Sequence, residues 1–207
     1  MSGGSPEIIY TSAVIESMPL TPAVFCEDAR KTDMLKGWVK AIVEQESPVS
    51  SAVLAREMIA AANIDKMSSK LRERCSYLVR SIEKEFHFTN QVLDPTADEP
   101  ETVVFLWKED AEIGKVMDYY RVPAEGEKAR KACDIPVQEA ACAARYLAVS
   151  QYGMPYESLI VETAKALGLS RAPVDSDNYR LGKKAVDYCI NQELLALDDN
   201  GFVKEAL

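Results

Sequence analysis

Positively charged side chains concentrate in one predicted helix of an acidic chain. The run from Lys66 to Lys84 holds six lysines and arginines against two glutamates, a local net charge of +4. Lys70, Arg74 and Tyr77 recur at helical spacing on the side away from the apolar residues, where they suit phosphates and base edges. The alternative interpretation is a solvated helix face with local ion pairs. The residues that we expect to contact phosphates here are Lys66, Lys70, Arg72 and Arg74.

A second and weaker basic set lies near the C-terminus. Its members are Arg171, Arg180, Lys183 and Lys184. Three aspartates in the same stretch, at 175, 177 and 187, leave a local net charge of only +1. If nucleic acid is bound, the first set is therefore the better candidate, and the second is an additional one.

Residue patterns typical of catalysis and metal binding are missing from the sequence. His87 stands between Phe86 and Phe88 and suits a partly buried aromatic cluster better than a general base. The five cysteines are scattered and form no Cys-x-x-Cys pair, and no glycine-rich phosphate loop occurs. Trp38 and Trp107 lie in apolar segments, which favours core packing over base stacking. We expect no enzyme, no catalytic residue, no metal and no cofactor.

Overall charge and composition limit the possible partners. The chain of 207 residues has a net charge of −9, which lowers the expectation for a dedicated duplex-DNA binder. The apolar fraction of 47% suits a soluble globular protein, and no apolar run is long enough for a membrane span. We therefore expect a cytoplasmic protein with no membrane partner.

An internal repeat predicts the architecture that positions the basic residues. Residues 47–64 (SPVSSAVLAREMIAAANI) resemble residues 152–169 (YGMPYESLIVETAKALGL), and each is followed by a charged helical run and β-forming residues. Two helices, a third helix and a short hairpin form a winged helix-turn-helix. The predicted fold class is thus mainly α with small β-hairpins (α+β), built as tandem winged helix-turn-helix repeats.

The breaks in the pattern give the predicted domain boundaries. Residues 1–33 read as an extended N-terminal arm, 34–108 as repeat one, 109–134 as a connector and 135–207 as repeat two. Ser50 or Ser51 and then Ser68 or Ser69 are expected to cap helices two and three of repeat one. Asn63 and Gly168 occupy matching positions where a left-handed helix end is expected.

The expected hairpin loop of repeat one is long and acidic. It carries Asp94, Asp98, Glu99 and Glu101, which would repel phosphates near the third helix. A negatively charged wing suits a basic protein partner at least as well. The second hypothesis is therefore a protein–protein interaction module that uses this acidic wing and the N-terminal arm, without nucleic-acid binding.

The order of motifs over residues 34–204 resembles the domain of unknown function 3320 family. The pieces that carry the resemblance are Ser47-Pro48-Val49, Phe105-Leu106-Trp107 and Tyr120-Arg121-Val122-Pro123. The resemblance implies the C-terminal region of bacterial proteins with superfamily-one helicase-like motors. It also implies an accessory or recognition role in DNA or RNA transactions, with no nucleotide hydrolysis because no helicase motif is present. Such a chain is either a stand-alone relative or part of a longer protein.

Overall fold

The same succession of elements occurs twice in the chain. In this computed structural model, which describes residues 5–206, a helix, a short strand, two helices and two strands follow one another in each half. The first set is α2 (Thr32–Glu46), β2 (Val49–Ser50), α3 (Ser51–Ala61), α4 (Ser69–Ser81), β3 (Phe86–Val92) and β4 (Thr102–Lys108). The second is α5 (Val137–Ser150), β6 (Met154–Pro155), α6 (Tyr156–Ala166), α7 (Asp177–Asn191), β7 (Leu195–Leu197) and β8 (Phe202–Glu205).

The two three-stranded sheets also share a strand order. In each, the last strand of the set lies in the centre, giving the orders β2-β4-β3 and β6-β8-β7. Val49 pairs with Leu106 and Met154 pairs with Val203, both in antiparallel register. The mixed α+β class that we expected is therefore confirmed.

Short polar residues begin the helices as expected. The hydroxyls of Ser50 and Ser68 accept hydrogen bonds from Val53 N at 3.1 Å and Leu71 N at 3.3 Å, which confirms one alternative of each predicted cap. Ser176 caps α7 in the same way through Tyr179 N at 3.2 Å.

The second helix of each half ends in the same manner. Asn63 and Gly168 both adopt positive φ, at 54° and 81°. The N–H groups of the residues that follow them, Ile64 and Leu169, donate to the carbonyls of Ile59 and Ala164. This left-handed ending satisfies the last carbonyls of each helix and confirms the prediction.

Residues 1–33 are not extended throughout, contrary to expectation. The described part, from residue 5, contains β1 (Glu7–Ile9), α1 (Pro22–Glu27) and a 3₁₀ turn over Ala29–Lys31. Thr21 caps α1, proline opens it, and Phe25 is fully buried, so apolar burial draws the segment into the core. The predicted connector likewise contains β5 (Tyr120–Val122), which pairs in parallel with β1.

The contacts divide the chain into two units that do not follow its order. We call residues 11–90 and 103–113 the N-proximal unit, and residues 5–10, 91–102 and 114–206 the C-proximal unit. The N-proximal core includes Phe25, Leu35, Ile42, Leu54, Met58, Leu78 and Leu106. The C-proximal core includes Ile135, Leu159, Ile160, Leu181, Val186 and Val203.

The tryptophans are buried as expected, whereas the expected partial burial of His87 is wrong. Trp38 and Trp107 are buried, as predicted, and Trp107 Nε1 donates to Thr89 Oγ1 at 2.8 Å. His87, however, is exposed, with Nε2 2.7 Å from the carbonyl oxygen of Glu109. Because successive side chains of β3 point to opposite faces, Phe86 and Phe88 face inward and His87 faces out.

Candidate nucleic-acid interface

Helix α4 presents the richest basic surface of the N-proximal unit. Leu71, Cys75 and Leu78 bury its apolar side, which fixes the rotation of the helix in its unit. The opposite side therefore faces solvent, since residues three and four apart share a helix face. Within the helix, four basic residues accompany one acidic residue, Glu73.

Two of the four predicted contacts on and beside α4 are engaged by residues of α1 and the start of α2. Lys70 Nζ forms an ion pair with Glu27, and both side chains are more than 60% exposed. Arg74 Nη2 donates to Thr32 Oγ1 at 2.8 Å, and its guanidinium lies 5.3 Å from the ring centroid of Tyr77. The hydrogen bond from Lys70 lowers the pKa of Glu27, so this carboxylate is charged at neutral pH.

The other two predicted contacts are available. Lys66 and Arg72 are exposed, and neither has an ion pair within residues 5–206. Arg80, near the end of α4, is also exposed, and its Nε donates to the carbonyl of Ser76 at 3.3 Å. Lys70 and Arg74 therefore contact earlier residues of the chain, whereas Lys66, Arg72 and Arg80 have no ion pair among the described residues.

Two of the four basic residues on and before α7 are paired with carboxylates. Arg180 lies 2.8 Å from Asp94 and 3.5 Å from Asp177, while Lys183 Nζ lies 2.6 Å from Asp187. Arg171 is exposed, Lys184 is half-buried, and neither has an ion pair among the described residues. Two of the four predicted contacts are therefore paired in each basic set, and the ranking of the first set over the second stays a prediction.

The acidic loop between β3 and β4 packs within the C-proximal unit. Leu93 joins the apolar core of that unit, and Gln91 bonds both the carbonyl of Ile135 and the N–H of Val137. Asp94 then reaches Arg180 of α7. The expectation that Asp94 repels phosphates beside the third helix of its own half is wrong, because the aspartate is paired with a cation of the other third helix.

A buried ion cluster joins β5, the connector and α5. The carboxylate of Glu139 is fully buried and accepts hydrogen bonds from Arg121 and Arg130. Burial by itself would raise the pKa of Glu139, but the two guanidinium groups outweigh it and lower the pKa to about 2. The Tyr10 ring covers both arginines, with its centroid 4.8 Å from Arg130 Cζ and 5.5 Å from Arg121 Cζ.

That cluster was missed at the sequence level, and its geometry explains its role. Arg130 Nη2 also donates to the carbonyl of Arg121 at 2.8 Å, and Arg121 N donates to Glu139 Oε1 at 2.8 Å. These bonds attach the connector to β5 and α5 and so order it. The only available signal was a glutamate in the first turn of a helix otherwise rich in alanine.

A pair of carboxyl groups holds the chain that precedes α1. Glu46, at the end of α2, is 1% exposed and accepts a hydrogen bond from Ala13 N. Glu57 of α3 bonds both Glu46 and Ser12; burial and Glu46 raise the pKa of Glu57 to about 9, although Ser12 and Arg56 oppose the shift. One proton is therefore retained on this pair at neutral pH.

The cysteines and acids offer no reactive or metal site in the described part of the chain. Burial raises the pKa of Cys75, Cys142 and Cys189 to about 12, so these thiols remain protonated. Within residues 5–206, no three His, Cys, Asp or Glu side chains are grouped closely enough to hold a metal ion.

Comparison of this chain with known proteins finds no match. That statement covers family models, curated proteins and solved structures alike. Among the described residues, no helix has both the length and the apolar character that a membrane span requires. Functional assignment therefore depends on the surface of α4.

Proposed function

We propose that this chain is a non-enzymatic tandem winged-helix module that binds nucleic acid through α4, as an accessory or recognition component of DNA or RNA transactions. Support for the winged-helix assignment comes from the matching element order and the matching strand order of the two halves. In such a unit the third helix is the one presented to nucleic acid.

The observation that carries the proposal is the set of free cations on and beside α4. Lys66 and Arg72 are exposed without ion pairs in the described chain, in a protein of net charge −9. Unpaired guanidinium and ammonium groups bind phosphates by releasing condensed counterions, so affinity must fall as salt rises. A basic surface retained within an acidic protein favours an anionic ligand.

A salt titration tests this proposal. Fluorescence anisotropy of labelled single-stranded DNA, duplex DNA and RNA should show binding at low salt, with log affinity falling linearly against log salt concentration. Arg72→Ala should reduce the slope by about one. Lys183→Ala, on the third helix of the other half, is the matched control and should change little because Lys183 is already paired with Asp187. Absence of binding at low salt would exclude the proposal.

The second candidate function is a protein–protein interaction module. It is favoured by the exposed acids at the tip of the β3–β4 loop, Asp98, Glu99 and Glu101, and by exposed apolar residues before α1 such as Val14 at 89%. A lysine-rich peptide should bind the chain and lose affinity when the three acids are changed together to their amides. This design leaves Asp94 and its bond to Arg180 intact.

A further inference from the structure

The exposed side of α4 carries two parallel rows of residues, with the exposed carboxylate of Glu73 between them. One row contains Lys70, Arg74 and Tyr77, and the other contains Arg72, Ser76 and Arg80. Residues four apart lie one turn apart on the same face, so Arg72 and Arg80 are separated by about 12 Å along the helix axis. Both rows carry two positive charges.

The charged groups of the Lys70–Arg74 row are partly covered by residues that come earlier in the chain, although Lys70 stays 65% exposed. Glu27, at the end of α1, supplies a carboxylate to Lys70 where a phosphate would otherwise bind. Thr32, at the start of α2, accepts the hydrogen bond from Arg74. Phe25 anchors α1 with no exposed surface, so displacing this segment would expose a buried aromatic side chain to water.

The Arg72–Arg80 row has no such cover. Arg72, Ser76 and Arg80 are all exposed, and their side-chain bonds run only along α4 itself: Ser76 Oγ donates to the carbonyl of Arg72 at 3.0 Å, and Arg80 Nε to the carbonyl of Ser76 at 3.3 Å. The terminal guanidinium nitrogens of Arg72 and Arg80 make no bond to any described residue. The bond to Ser76 orients Arg80 without neutralising it.

We infer that nucleic acid contacts α4 along Arg72, Ser76 and Arg80, because Glu27 and Thr32 already engage the charged groups of the Lys70–Arg74 row. This inference rests on the proposed function and adds Arg80 and Ser76 to the site. The ligand is a phosphate backbone, because two unpaired guanidinium groups in a row form charge-assisted hydrogen bonds to successive anionic groups. Lys66, in the bend before α4, is a further exposed cation.

Four single substitutions provide an internally matched test. Arg72→Ala, Arg80→Ala, Lys70→Ala and Arg74→Ala each remove one positive charge from the same helix, so their long-range effect on an anionic ligand is similar. Anisotropy titrations of the full chain with a labelled oligonucleotide should give a loss of about three- to tenfold for Arg72→Ala and Arg80→Ala, each with the salt slope reduced by about one. Lys70→Ala and Arg74→Ala should change affinity less than about twofold.

The possible results separate this inference from the function on which it rests. Equal losses in all four variants, or larger losses at Lys70 or Arg74, would overturn the preference for the Arg72–Arg80 row while leaving nucleic-acid binding in place. Absence of binding by the unchanged protein would remove both. If Arg74→Ala fails to fold after losing its bond to Thr32, Lys70→Ala alone carries the comparison. Competition by poly-glutamate as strong as that by the oligonucleotide would assign the row to an acidic protein surface instead.

Discussion

Asp94 Oδ2 lies 2.8 Å from Arg180 Nη2, so the loop between β3 and β4 neutralises a cation of α7. The loop and α7 belong to the C-proximal unit, although β3 and β4 mostly belong to the other unit. Each side chain is only about a quarter exposed, which shields the pair partly from solvent. The loop thus contributes to a unit built mainly from sequence that follows it.

Asp94→Asn should loosen this loop. The substitution removes the charge that faces Arg180 and weakens the turn in which Asp94 Oδ1 accepts hydrogen bonds from Thr96 N and Oγ1. Hydrogen exchange measured at fixed pH should become faster over residues 91–102 and stay unchanged in α4. Asp98→Asn, at an exposed position of the same loop, is the control and should leave the exchange rates as they are.

Glu139→Gln should destabilise the protein by about 3–5 kcal/mol, because it leaves two largely buried guanidinium groups without their counter-charge. Urea unfolding at pH 7 measures the loss. Glu162→Gln removes an exposed carboxylate paired with Lys165 and should change the free energy of unfolding by less than about 1 kcal/mol. Equal effects of the two substitutions would contradict the importance of the buried cluster.

The lowered pKa of Glu139 also predicts that the free energy of unfolding decreases at acidic pH. Because the pKa of Glu139 falls from 4.5 in the unfolded chain to about 2 in the folded one, its contribution is complete above pH 4.5. That contribution is lost as pH falls from 4.5 towards 2. The difference in free energy of unfolding between the unchanged protein and Glu139→Gln should therefore shrink over this interval.

Glu57 should make the free energy of unfolding decrease as pH rises, the opposite of the effect of Glu139. The pKa of Glu57 rises from 4.5 to about 9 on folding, so its contribution is complete below pH 4.5 and is lost as pH rises towards 9. Glu57→Gln keeps a hydrogen-bond donor for Glu46 but has no titrating proton. The decrease in the free energy of unfolding that Glu57 causes between pH 4.5 and 9 should therefore be absent in this variant. Urea unfolding at pH 5, 7 and 9 tests the slope, with Glu16→Gln as the exposed control.

Two helical glycines should respond to alanine with opposite signs. A Cβ on Gly182 of α7 would lie 2.3 Å from the carbonyl oxygen of Ile160, so α6 and α7 would have to separate at a cost of about 1–3 kcal/mol. A Cβ on Gly37 of α2 meets nothing within 4 Å, and alanine should stabilise that helix by about 1 kcal/mol. Thermal unfolding of both variants tests this difference in sign.

Local patterns predicted the parts of the fold that depend on neighbouring residues. Ser50 and Ser68 cap helices, and Asn63 and Gly168 end them, because each acts on backbone groups within a few residues. The short helix α1 escaped prediction, since its single buried anchor, Phe25, has no periodic pattern around it. Periodicity needs several turns before it becomes visible.

The candidate site was predicted only in part. Spacing identified α4 as a basic helix, and it separated the charged side from the apolar side formed by residues such as Leu71 and Leu78. Spacing could not distinguish Arg72 from Lys70, because both lie on the solvent side. Glu27 makes that distinction, and no rule of helix spacing links it to α4.

The sequence by itself determined the order of elements, their caps and the location of the positive charge, because these follow from propensities and contacts within one or two turns. Tertiary structure alone decided which cations remain free and which are paired, and which unit receives the acidic loop. Those outcomes depend on which residues distant in sequence, such as Asp94 and Arg180, lie close together in the folded structure. The positive charge available at a surface therefore depends on the folded chain. An ion pair with a residue distant in sequence reduces that charge, and helical spacing does not show which distant residue will lie nearby.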